Sequence, residues 1–540
     1  MQSTPADLTQ EIMISVYLKN DTHENGMTLK EYADAVIAGT QPVLEHDQYV
    51  YQFGAVADEL ALVEDWARTN NLTIIESDLG MAVVKLLGRV EQFNQLFSIQ
   101  LLSVSDNGRT YITHEGNITV PSEINDVVAM VLGLDNSMQV TSRLKSIEPN
   151  SIDPTATPNT YPNKFPVTPK QVATAYQVPA GTGYGQTIAI IEFQGSGWNQ
   201  SDVNRTFANI GVTTPPQVTN YSVDGATFTT VGDAETMMDI YCAGGMCPKS
   251  NIVVYYAPNT SSGFYNMVNA IANDNVNRPS VLTISWGYSG DYYDYLAIPF
   301  QACITKGILV FLSTGDDGGN NYTACYPATS QYIIAAGGTS IYLNANNTLN
   351  AETVWSGSGG GISTNNALPT WQSNPPLHYT TYDINGVTGT PALVTKRGVP
   401  DISAPADPYT GYQFYVNNYL NQNGGTSASA PWLAGMFARL NQLLGRRIQF
   451  GEIMNLLYNN ASTLCNDVTS GYNNRAWHQG QVLTNAYSAT AGWDAATGLG
   501  SPIASMIYKL MHHGSTFPKI FYGARPTAGV AYPRTTSGVR

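Results

Sequence analysis

Two periodicities alternate along the first hundred residues, one with apolar side chains at every second position and one with a spacing of three or four. The strand-like stretches are EIMISVYLK (11–19), LTIIES (72–77), GMAVVKLLG (80–88) and SIQLLSV (98–104), and the helix-like stretches are TLKEYADAVIAG (28–39), ADELALVEDWARTNN (57–71) and RVEQFNQLF (89–97). Alternation predicts half-buried strands, and the longer spacing predicts amphipathic helices. With SEINDVVAMVLGLD (122–135) predicted as a closing helix, residues 1–145 are interpreted as a small α+β domain of the ferredoxin-like kind.

The sequence that starts at residue 146, SIEPNSIDPTATPNTYPNKFPVTP, is dense in Pro, Asn, Ser and Thr. This composition is typical of a linker, and exposed linkers are preferred sites of proteolysis. We therefore predict a linker over residues 146–167 with a cleavage site inside it. Residues 516–540 have the composition of a flexible tail.

From residue 168 onward the strand-like runs are continuously apolar. They are TIAIIEF (187–193), NIVVYYAP (251–258), SVLTISWG (280–287), GILVFLSTG (307–315) and YIIAAGG (332–338). Runs without alternation indicate strands buried on both faces, as in a parallel sheet covered by helices. Residues 168–515 are therefore predicted to form an α/β domain whose functional groups follow the carboxyl ends of the strands.

Composition narrows the possible environments and partners. Charged residues make up only 12% of the chain, and 40 Asp plus Glu against 25 Lys plus Arg give a formal net charge of −15. In acid many carboxylates are protonated and few basic groups remain to repel one another, so the composition fits an acidic environment. The sequence lacks the basic stripes of a nucleic-acid-binding protein and the apolar run of about 20 residues that a membrane span needs.

The N-terminal sequence MQSTPADLTQEI lacks the basic and apolar regions of a signal peptide, although Asn-X-Ser/Thr sequons favour a secreted or lumenal protein. The five cysteines show no repeated CxxC pattern of a metal site. Cys242 and Cys247 in YCAGGMCP either close a small disulfide loop or remain buried free thiols, and the sequence leaves both interpretations open.

The stretch NGGTSASAPWLAG (423–435) places Ser427 between two glycines and a helix-like run. A hydroxyl at a helix N-terminus is favoured by the helix dipole as an alkoxide develops, and neighbouring backbone N–H groups can bind an oxyanion. A glycine turn with a Ser or Thr helix cap is the simpler alternative. Because the pattern GTSxSAP is constrained beyond what a cap requires, we predict that Ser427 is a nucleophile.

GTSxSAP resembles the nucleophile motif of subtilisin-like serine peptidases, in which a histidine is the general base. No such histidine is present here. His23, His46 and His114 lie in the first domain, and the other four lie late in the chain without an HGT-type helix start. The base must therefore be a different residue type.

A carboxylate can take the place of histidine, and GDAETMMDIY supplies Glu235 and Asp239. Four residues apart, they share one face of a helix, with Asp233 as a candidate N-cap. A solvated acidic helix face is the alternative. The flanking Met, Ile and Tyr residues indicate burial instead, where paired carboxylates share a proton and their pKa values diverge.

The stretch FLSTGDDGG ends a predicted buried strand with Asp316 and Asp317. A protonated aspartic acid can donate a hydrogen bond to the oxyanion of a tetrahedral intermediate. An Asx turn, which favours Asp and Gly for backbone reasons, is equally compatible with this spacing.

Taken together, these motifs resemble the sedolisin family, the serine-carboxyl peptidases, over residues of about 11 to 503. The resemblance is carried by VTPKQVATAY, IAIIEFQGSG, the ExxxD of Glu235 and Asp239, NIVVYYAP, ISWG, STGDDGG, SGSGGGIS, RGVPDISAPADPYTGY, GGTSASAP and GWDAATGLGSP. It implies a subtilisin-like parallel sheet with flanking helices. The first domain, with VVAMVLGLD near its end, resembles the family's activation propeptide, nearest the kumamolisin type.

The resemblance also implies roles for individual residues. The nucleophile, its base, the residue orienting that base and the oxyanion donor would be Ser427, Glu235, Asp239 and Asp316. Glu192 and Trp286 fall where kumamolisin-like members extend the acid network, although a strand-end charge and a core aromatic are equally compatible. Asp317 stands where the family usually has Ser.

The resemblance further implies one calcium ion near the C-terminus of the catalytic domain. Its ligands would be two carboxylates and three backbone carbonyls, from Asp467, Asp494, Val468, Thr490 and Gly492. Thr490 replaces the family's usual Gly. Because the ligand would be its backbone carbonyl, this replacement affects the conformation of the loop more than the type of atom that binds the ion.

The expected function is that of an acid-acting serine-carboxyl endopeptidase, made as a self-activating zymogen. Its partners would be protein or peptide substrates and its own propeptide as an intramolecular inhibitor. We expect a monomer in a secreted or acidic lumenal setting. The alternatives are a tripeptidyl-peptidase-type exopeptidase of the same family and a catalytically inactive homologue with a binding or structural role.

Overall fold

The computed structural model describes residues 2–19, 26–106, 108–146, 166–477 and 481–514. Most of the predicted linker and the predicted tail lie outside these residues. The described part consists of an N-terminal α+β domain, a short extended segment, and a larger α/β domain. This is the domain order that the sequence predicts.

The N-terminal domain has two antiparallel sheets, ordered β3-β4-β2-β7 and β1-β5-β6, and four helices. Its elements are β1 (Gln2–Pro5), β2 (Glu11–Leu18), α1 (Leu29–Ile37), α2 (His46–Phe53), α3 (Ala57–Thr69), β3 (Thr73–Asp78), β4 (Val83–Arg89), α4 (Val90–Phe97), β5 (Gln100–Asp106), β6 (Arg109–Glu115) and β7 (Val128–Leu132). Apolar side chains of the strands and of α3 and α4 form a core of their own within this domain.

The helix predicted over residues 122–135 is wrong. Residues Val128–Leu132 form strand β7, which pairs antiparallel with β2 through Val16 and Val131. The edge of β2 is open at this position, and the β-branched valines pack well on a pleated surface. Tertiary pairing therefore overrides the local helical spacing of the apolar residues.

Two short strands, β8 (Thr141–Ser142) and β9 (Lys145–Ser146), follow the N-terminal domain. The larger domain then begins with α5 (Pro169–Ala175), whose first turn is closed by a capping box between Thr168 and Gln171. The strands that follow are β10 (Thr187–Phe193), β11 (Gln217–Ser222), β12 (Asn251–Ala257), β13 (Val281–Ile284), β14 (Trp286–Gly287), β15 (Leu309–Ser313), β16 (Ile334–Leu343), β17 (Leu349–Val354), β18 (Gly361–Ala367), β19 (His378–Tyr382), β20 (Ala392–Leu393), β21 (Lys396–Val399), β22 (Ile402–Pro405), β23 (Tyr412–Val416), β24 (Tyr419–Gly424), β25 (Cys465–Asn466), β26 (Arg475–Ala476), β27 (Val482–Leu483), β28 (Ala486–Ser488) and β29 (Ser501–Pro502).

The helices of the larger domain after α5 are α6 (Gln200–Asn209), α7 (Ala234–Met246), α8 (Ser261–Asn273), α9 (Ala297–Thr305), α10 (Thr426–Leu444), α11 (Phe450–Asn459), α12 (Ala461–Leu464) and α13 (Ala504–Gly514). They flank a central sheet ordered β11-β12-β10-β13-β15-β16-β17, with β22 also paired to β16. Every pairing in this sheet is parallel except that of β16 with β17. The domain is thus an α/β fold with a largely parallel sheet, as the apolar runs predict.

Helices α7 and α10 pack against each other more extensively than any other pair of helices in the described residues. Gly435 of α10 makes this approach possible, since a Cβ there would lie 2.6 Å from the backbone oxygen of Ala243 in α7. The close contact brings the first turns of both helices to the same edge of the sheet.

The N-terminal domain docks on the larger domain at helices α8 and α9. The Tyr17 hydroxyl donates to Oδ1 of Asn266 at 2.6 Å, and the ammonium of Lys85 lies 2.6 Å from Oδ1 of Asp224. Both members of the Lys85–Asp224 pair are almost fully buried. The two domains share one continuous apolar core at this interface.

Within the described residues, no helix is both long and apolar enough to cross a membrane. All five cysteines are free and buried, so Cys242 and Cys247 form no disulfide loop. This agrees with the buried-thiol interpretation.

Candidate active site

The predicted functional residues lie at the carboxyl edge of the central sheet. Ser427 is the second residue of α10, and Glu235 and Asp239 lie one turn apart on α7. Ser285 and Asp316 follow the carboxyl ends of β13 and β15. All five side chains are buried, at 5% relative exposure or less.

The start of α10 fixes the position of Ser427. Gly425, the N-cap, has φ of 99°, and a Cβ on it would lie 2.0 Å from the backbone oxygen of Arg143 and 2.7 Å from Oδ2 of Asp316. Only glycine fits there. The Ser427 hydroxyl donates to the Ser285 carbonyl at 3.3 Å, and the Ser427 N–H donates to the Arg143 carbonyl, also at 3.3 Å.

Glu235 and Asp239 form a coupled pair of buried acids. Burial raises the pKa of Glu235 to about 8, and the Ser142 hydroxyl, which donates to this carboxylate, acts with the nearby Ser427 hydroxyl in the opposite direction. Burial and the Glu235 charge raise the pKa of Asp239 well above its usual range, although Oδ1 of Asp239 accepts a hydrogen bond from Ser285 at 2.8 Å. Asp233 caps α7 by accepting from the Thr236 N–H at 2.9 Å, as predicted.

The acid network extends to Glu192, near the end of β10, whose Oε2 accepts a hydrogen bond from the Trp286 indole N–H at 3.1 Å. Burial, together with the charges of Asp233, Asp239 and Glu235, raises the pKa of Glu192 well above its usual range. One oxygen each of Glu192, Glu235 and Asp239 is buried without a hydrogen-bond donor among the described residues. The structure therefore brings Glu192 and Trp286 into contact with each other, beside the predicted pair.

Asp316, and not Asp317, faces the start of α10. Its Oδ1 accepts from the Thr426 N–H at 2.8 Å and from the Thr426 hydroxyl at 2.7 Å. Its Oδ2 is buried without a hydrogen-bond partner in the described part of the chain and faces Gly425 from the same side as the Arg143 carbonyl. Burial raises the pKa of Asp316 to about 6, with Lys145 opposing the rise.

A segment of the chain itself lies across this site. We call residues 140–146 the cleft segment. Strand β8 pairs antiparallel with β14, and β9 pairs antiparallel with β24 directly before α10. Between these strands, the Arg143 N–H donates to the Ser285 carbonyl at 3.0 Å, and the Ser142 hydroxyl donates to Oε2 of Glu235.

Sequence reasoning did not find the cleft segment. The sequence offers only one signal for it, a short stretch, VTSRLKS, at the boundary of the predicted first domain and the Pro-rich linker. Ser285, which contacts the segment, and Thr426, which contacts Asp316, were also missed, because both contacts join residues that are distant in the chain.

The predicted calcium ligands come together at one turn. Oδ2 of Asp494 accepts from the Thr490 N–H at 3.1 Å, and Oδ2 of Asp467 accepts from the Gly492 N–H at 2.8 Å. The donors, including the Val468 carbonyl, are all oxygens, which is the type that calcium takes. The described residues contain no cluster of three or more His, Cys, Asp or Glu side chains fit to hold a metal, so carbonyls would have to complete this set.

Two family profiles match the chain. Residues 226–500 match the Subtilase family, and residues 1–137 match the activation domain of pro-kumamolisin. The two matches correspond to the larger domain and the N-terminal domain of the structure.

Individual relatives cover almost the whole chain. Kumamolisin from a Bacillus species is 32% identical over 531 residues, covering 92% of this chain and 91% of kumamolisin. Tripeptidyl-peptidase sed5 from Aspergillus fumigatus is 26% identical, covering 83% of this chain and 84% of the relative. In fold, the chain is similar to Pseudomonas sedolisin, a serine-carboxyl proteinase solved with pseudo-iodotyrostatin. The TM-score is 0.52 and the sequence identity is 24%, and the match covers 66% of this chain and 100% of the solved one. The protein therefore belongs to the sedolisin family of serine-carboxyl peptidases and carries a pro-kumamolisin activation domain, which makes it a zymogen.

Proposed function

We propose that the protein is an acid-acting serine-carboxyl endopeptidase that activates itself by cutting its own cleft segment. The observation that carries this proposal is the placement of the Arg143 carbonyl. It accepts a hydrogen bond from the Ser427 N–H, beside the buried Oδ2 of Asp316, while the chain on either side is held in antiparallel strand pairing. This is the geometry of a peptide substrate presented to a nucleophile.

In the proposed reaction, Oγ of Ser427 attacks the carbonyl carbon and its proton passes to Glu235. The oxyanion accepts hydrogen bonds from the Ser427 N–H and from the O–H of protonated Asp316. The C–N bond then breaks as Glu235 returns the proton to the leaving amine. Water hydrolyses the acyl-enzyme by the same sequence, with Glu235 again taking and returning the proton.

The acidic optimum follows from the oxyanion donor. Asp316 can donate only when protonated, and its pKa of about 6 means that this form dominates below that pH. Above pH 6 the Asp316 carboxylate would repel the oxyanion. Activity is therefore expected to fall as pH rises through about 6.

The three coupled acids supply the base and its support. Asp239 orients Glu235 and shares a proton with it. Glu192, with Trp286, extends this network of acids. Because one oxygen of each acid lacks a donor, a proton shared among the acids is the hydrogen-bonding arrangement that fits their burial. Because burial holds the pKa of Glu235 at about 8, we propose that the reactive form at acid pH is the one in which another acid of the network carries the shared proton and Glu235 is ionised.

The zymogen is held inactive by the same contacts. The Ser142 hydroxyl donates to the Glu235 carboxylate, and the segment fills the cleft. The first cut is proposed between Arg143 and Leu144, two residues before the predicted linker, with any cut in residues 146–167 following later. N-terminal sequencing of protein shifted from neutral pH to pH 4 tests this, since the first product should begin at Leu144.

The cleft favours endopeptidase over tripeptidyl-peptidase action. A tripeptidyl peptidase ends its cleft three residues before the scissile bond, where it must accommodate a free N-terminus. Here the fourth residue, Val140, is held at both its N–H and its carbonyl by Asn259 at 3.0 Å, and the chain continues beyond it. We therefore expect N-acetylated peptides to be cut, whereas an exopeptidase would require the free amine.

Ser427→Ala is the central test. The variant should remain a full-length, folded zymogen at pH 4, while the wild type converts. Ser429→Ala on the same helix is the matched control and should still convert. A Ser427→Ala chain that cleaves a denatured protein would refute the assignment, and a wild type that cuts nothing at any pH would support the inactive-homologue alternative.

We also propose that Asp467 and Asp494, with the carbonyls of Val468, Thr490 and Gly492, hold one calcium ion. The ion would neutralise two carboxylates at one turn and fix that turn, and no catalytic step depends on it. A calcium-dependent rise in the thermal unfolding midpoint, reversed by chelation, would support the site.

A further inference from the structure

The side chain of Arg143 fills a closed pocket beside the scissile bond. It is fully buried. Its Nη2 donates to the Tyr288 carbonyl at 2.7 Å, and its Nη1 lies 3.7 Å from Oδ2 of Asp317. The pocket is the S1 pocket of the cleft, since Arg143 supplies the carbonyl next to Ser427.

Glycines give this pocket its depth. A Cβ on Gly287 would lie 3.3 Å from Nη2 of Arg143, and a Cβ on Gly315 would lie 3.7 Å from the guanidinium carbon. Larger residues at either position would shorten the pocket. The two glycines therefore leave room for the planar end of a long side chain.

The positive charge of the buried guanidinium has to be compensated by neighbouring groups. A buried cation is tolerated only where an anion and hydrogen-bond acceptors compensate for its lost hydration. Asp317 is the anion nearest to the guanidinium among the described residues, and the Tyr288 carbonyl is the acceptor.

We propose that Asp317 makes this peptidase selective for arginine immediately before the scissile bond, in its own first cut and in other substrates. The inference rests on the proposed function and adds the substrate class to it. Lysine presents a single ammonium, whereas the guanidinium of Arg143 reaches the Tyr288 carbonyl through Nη2 at 2.7 Å and, without a hydrogen bond, lies 3.7 Å from Oδ2 of Asp317 through Nη1. Asp317 is here a specificity-determining residue, and Asp316 remains the oxyanion donor.

A peptide series tests the proposal on the wild-type enzyme. The peptides are N-acetylated Val-Thr-Ser-X-Leu-Lys-Ser amides, copied from residues 140–146, with arginine, lysine, leucine or citrulline at X. Citrulline has the shape of arginine without its charge. We expect kcat/KM for arginine to exceed that for citrulline by about 100-fold, the loss that accompanies an unpaired buried charge partner.

The variant Asp317→Asn then assigns the selectivity to one residue. Its arginine-to-citrulline ratio should fall to within about threefold of unity. Any indirect effect on the neighbouring Asp316 lowers hydrolysis of both peptides equally and leaves the ratio unchanged. A wild type that does not prefer arginine, or a variant that keeps the preference, overturns the proposal while leaving the peptidase assignment intact. Failure of all peptides overturns the proposed function itself.

Self-cleavage provides an independent test within the full chain. First-order rates of appearance of the product beginning at Leu144 are compared for the wild type, Arg143→Gln, Asp317→Asn and the double variant. If the two side chains act as a pair, each single change slows the cut by about 100-fold and the double change slows it no further. Multiplied effects in the double variant would show that they act separately and would overturn the proposal.

Discussion

Burial raises the pKa of Glu235, so this residue should make the stability of the zymogen depend on pH. A single substitution at Glu235 should remove its contribution to that dependence. The perturbation is Glu235→Gln, which keeps the shape of the protonated acid and cannot ionise. It is introduced in a Ser427→Ala chain, so that no self-cleavage disturbs the measurement. The reference is the Ser427→Ala chain itself.

The expected magnitude follows from linkage. Burial raises the pKa of Glu235 from 4.5 to about 8, so between these values the folded state holds a proton that the unfolded state has released. Stability from this group is fully present below about pH 4.5 and is lost as pH rises to about 8. The pKa difference corresponds to at most about 5 kcal/mol of unfolding free energy, and the neighbouring acids share part of it.

The assay is urea unfolding of both chains at pH 4, 6 and 8, followed by tryptophan fluorescence. At pH 4 the two chains should have equal stability within about 1 kcal/mol, since protonated Glu and Gln are similar. At pH 8 the Gln variant should be the more stable of the two. Glu123→Gln, at an exposed turn of the N-terminal domain, is the control and should show no such trend.

Two results would contradict a raised pKa at Glu235. A stability difference that stays constant from pH 4 to pH 8 would mean that Glu235 does not titrate in this window. A Gln variant that is less stable at pH 8 would mean that the folded state prefers the ionised carboxylate. Either result would mean that burial does not raise the pKa of Glu235.

Three further substitutions address packing, docking and metal binding. Gly435→Ala forces a methyl group against the Ala243 carbonyl and should cost about 1–3 kcal/mol in thermal unfolding, with lower activity because α7 moves relative to α10. Lys85→Met leaves Asp224 buried without its cation and should destabilise the Ser427→Ala zymogen by about 3 kcal/mol in urea unfolding. An unchanged unfolding midpoint would show that the pair contributes nothing to docking of the two domains. Asp467→Asn should abolish the calcium-dependent rise in unfolding temperature, and a rise equal to that of the wild type would place calcium elsewhere.

Part of the site could be read from the sequence because it depends on local geometry. The four-residue spacing of Glu235 and Asp239 fixes a shared helix face, and the glycines before Ser427 fix a tight helix start. The continuous apolar runs likewise predict the parallel sheet and the edge at which these residues meet. The pairing of Glu192 with Trp286 was open from sequence, since either residue was equally compatible with a structural role.

Other features depend on contacts between residues far apart in the chain. The sequence 122–135 has helical spacing, yet the open edge of β2 draws Val128–Leu132 into a strand. The two aspartates of GDDGG are adjacent, and only the packing of β15 against the start of α10 turns Asp316 toward Thr426 and Asp317 toward Arg143. Burial, which sets the acid pKa values, is likewise a property of the assembled domains.

The order of the two domains, the α/β class and the acids proposed to replace a catalytic histidine could all be predicted from sequence, because helix periodicity and strand apolarity are local properties. The tertiary structure alone decided that Arg143 lies in the site with its carbonyl at Ser427 and its guanidinium near Asp317. Strand pairing of residues 141–146 with β14 and β24 joins parts of the chain that no local pattern relates.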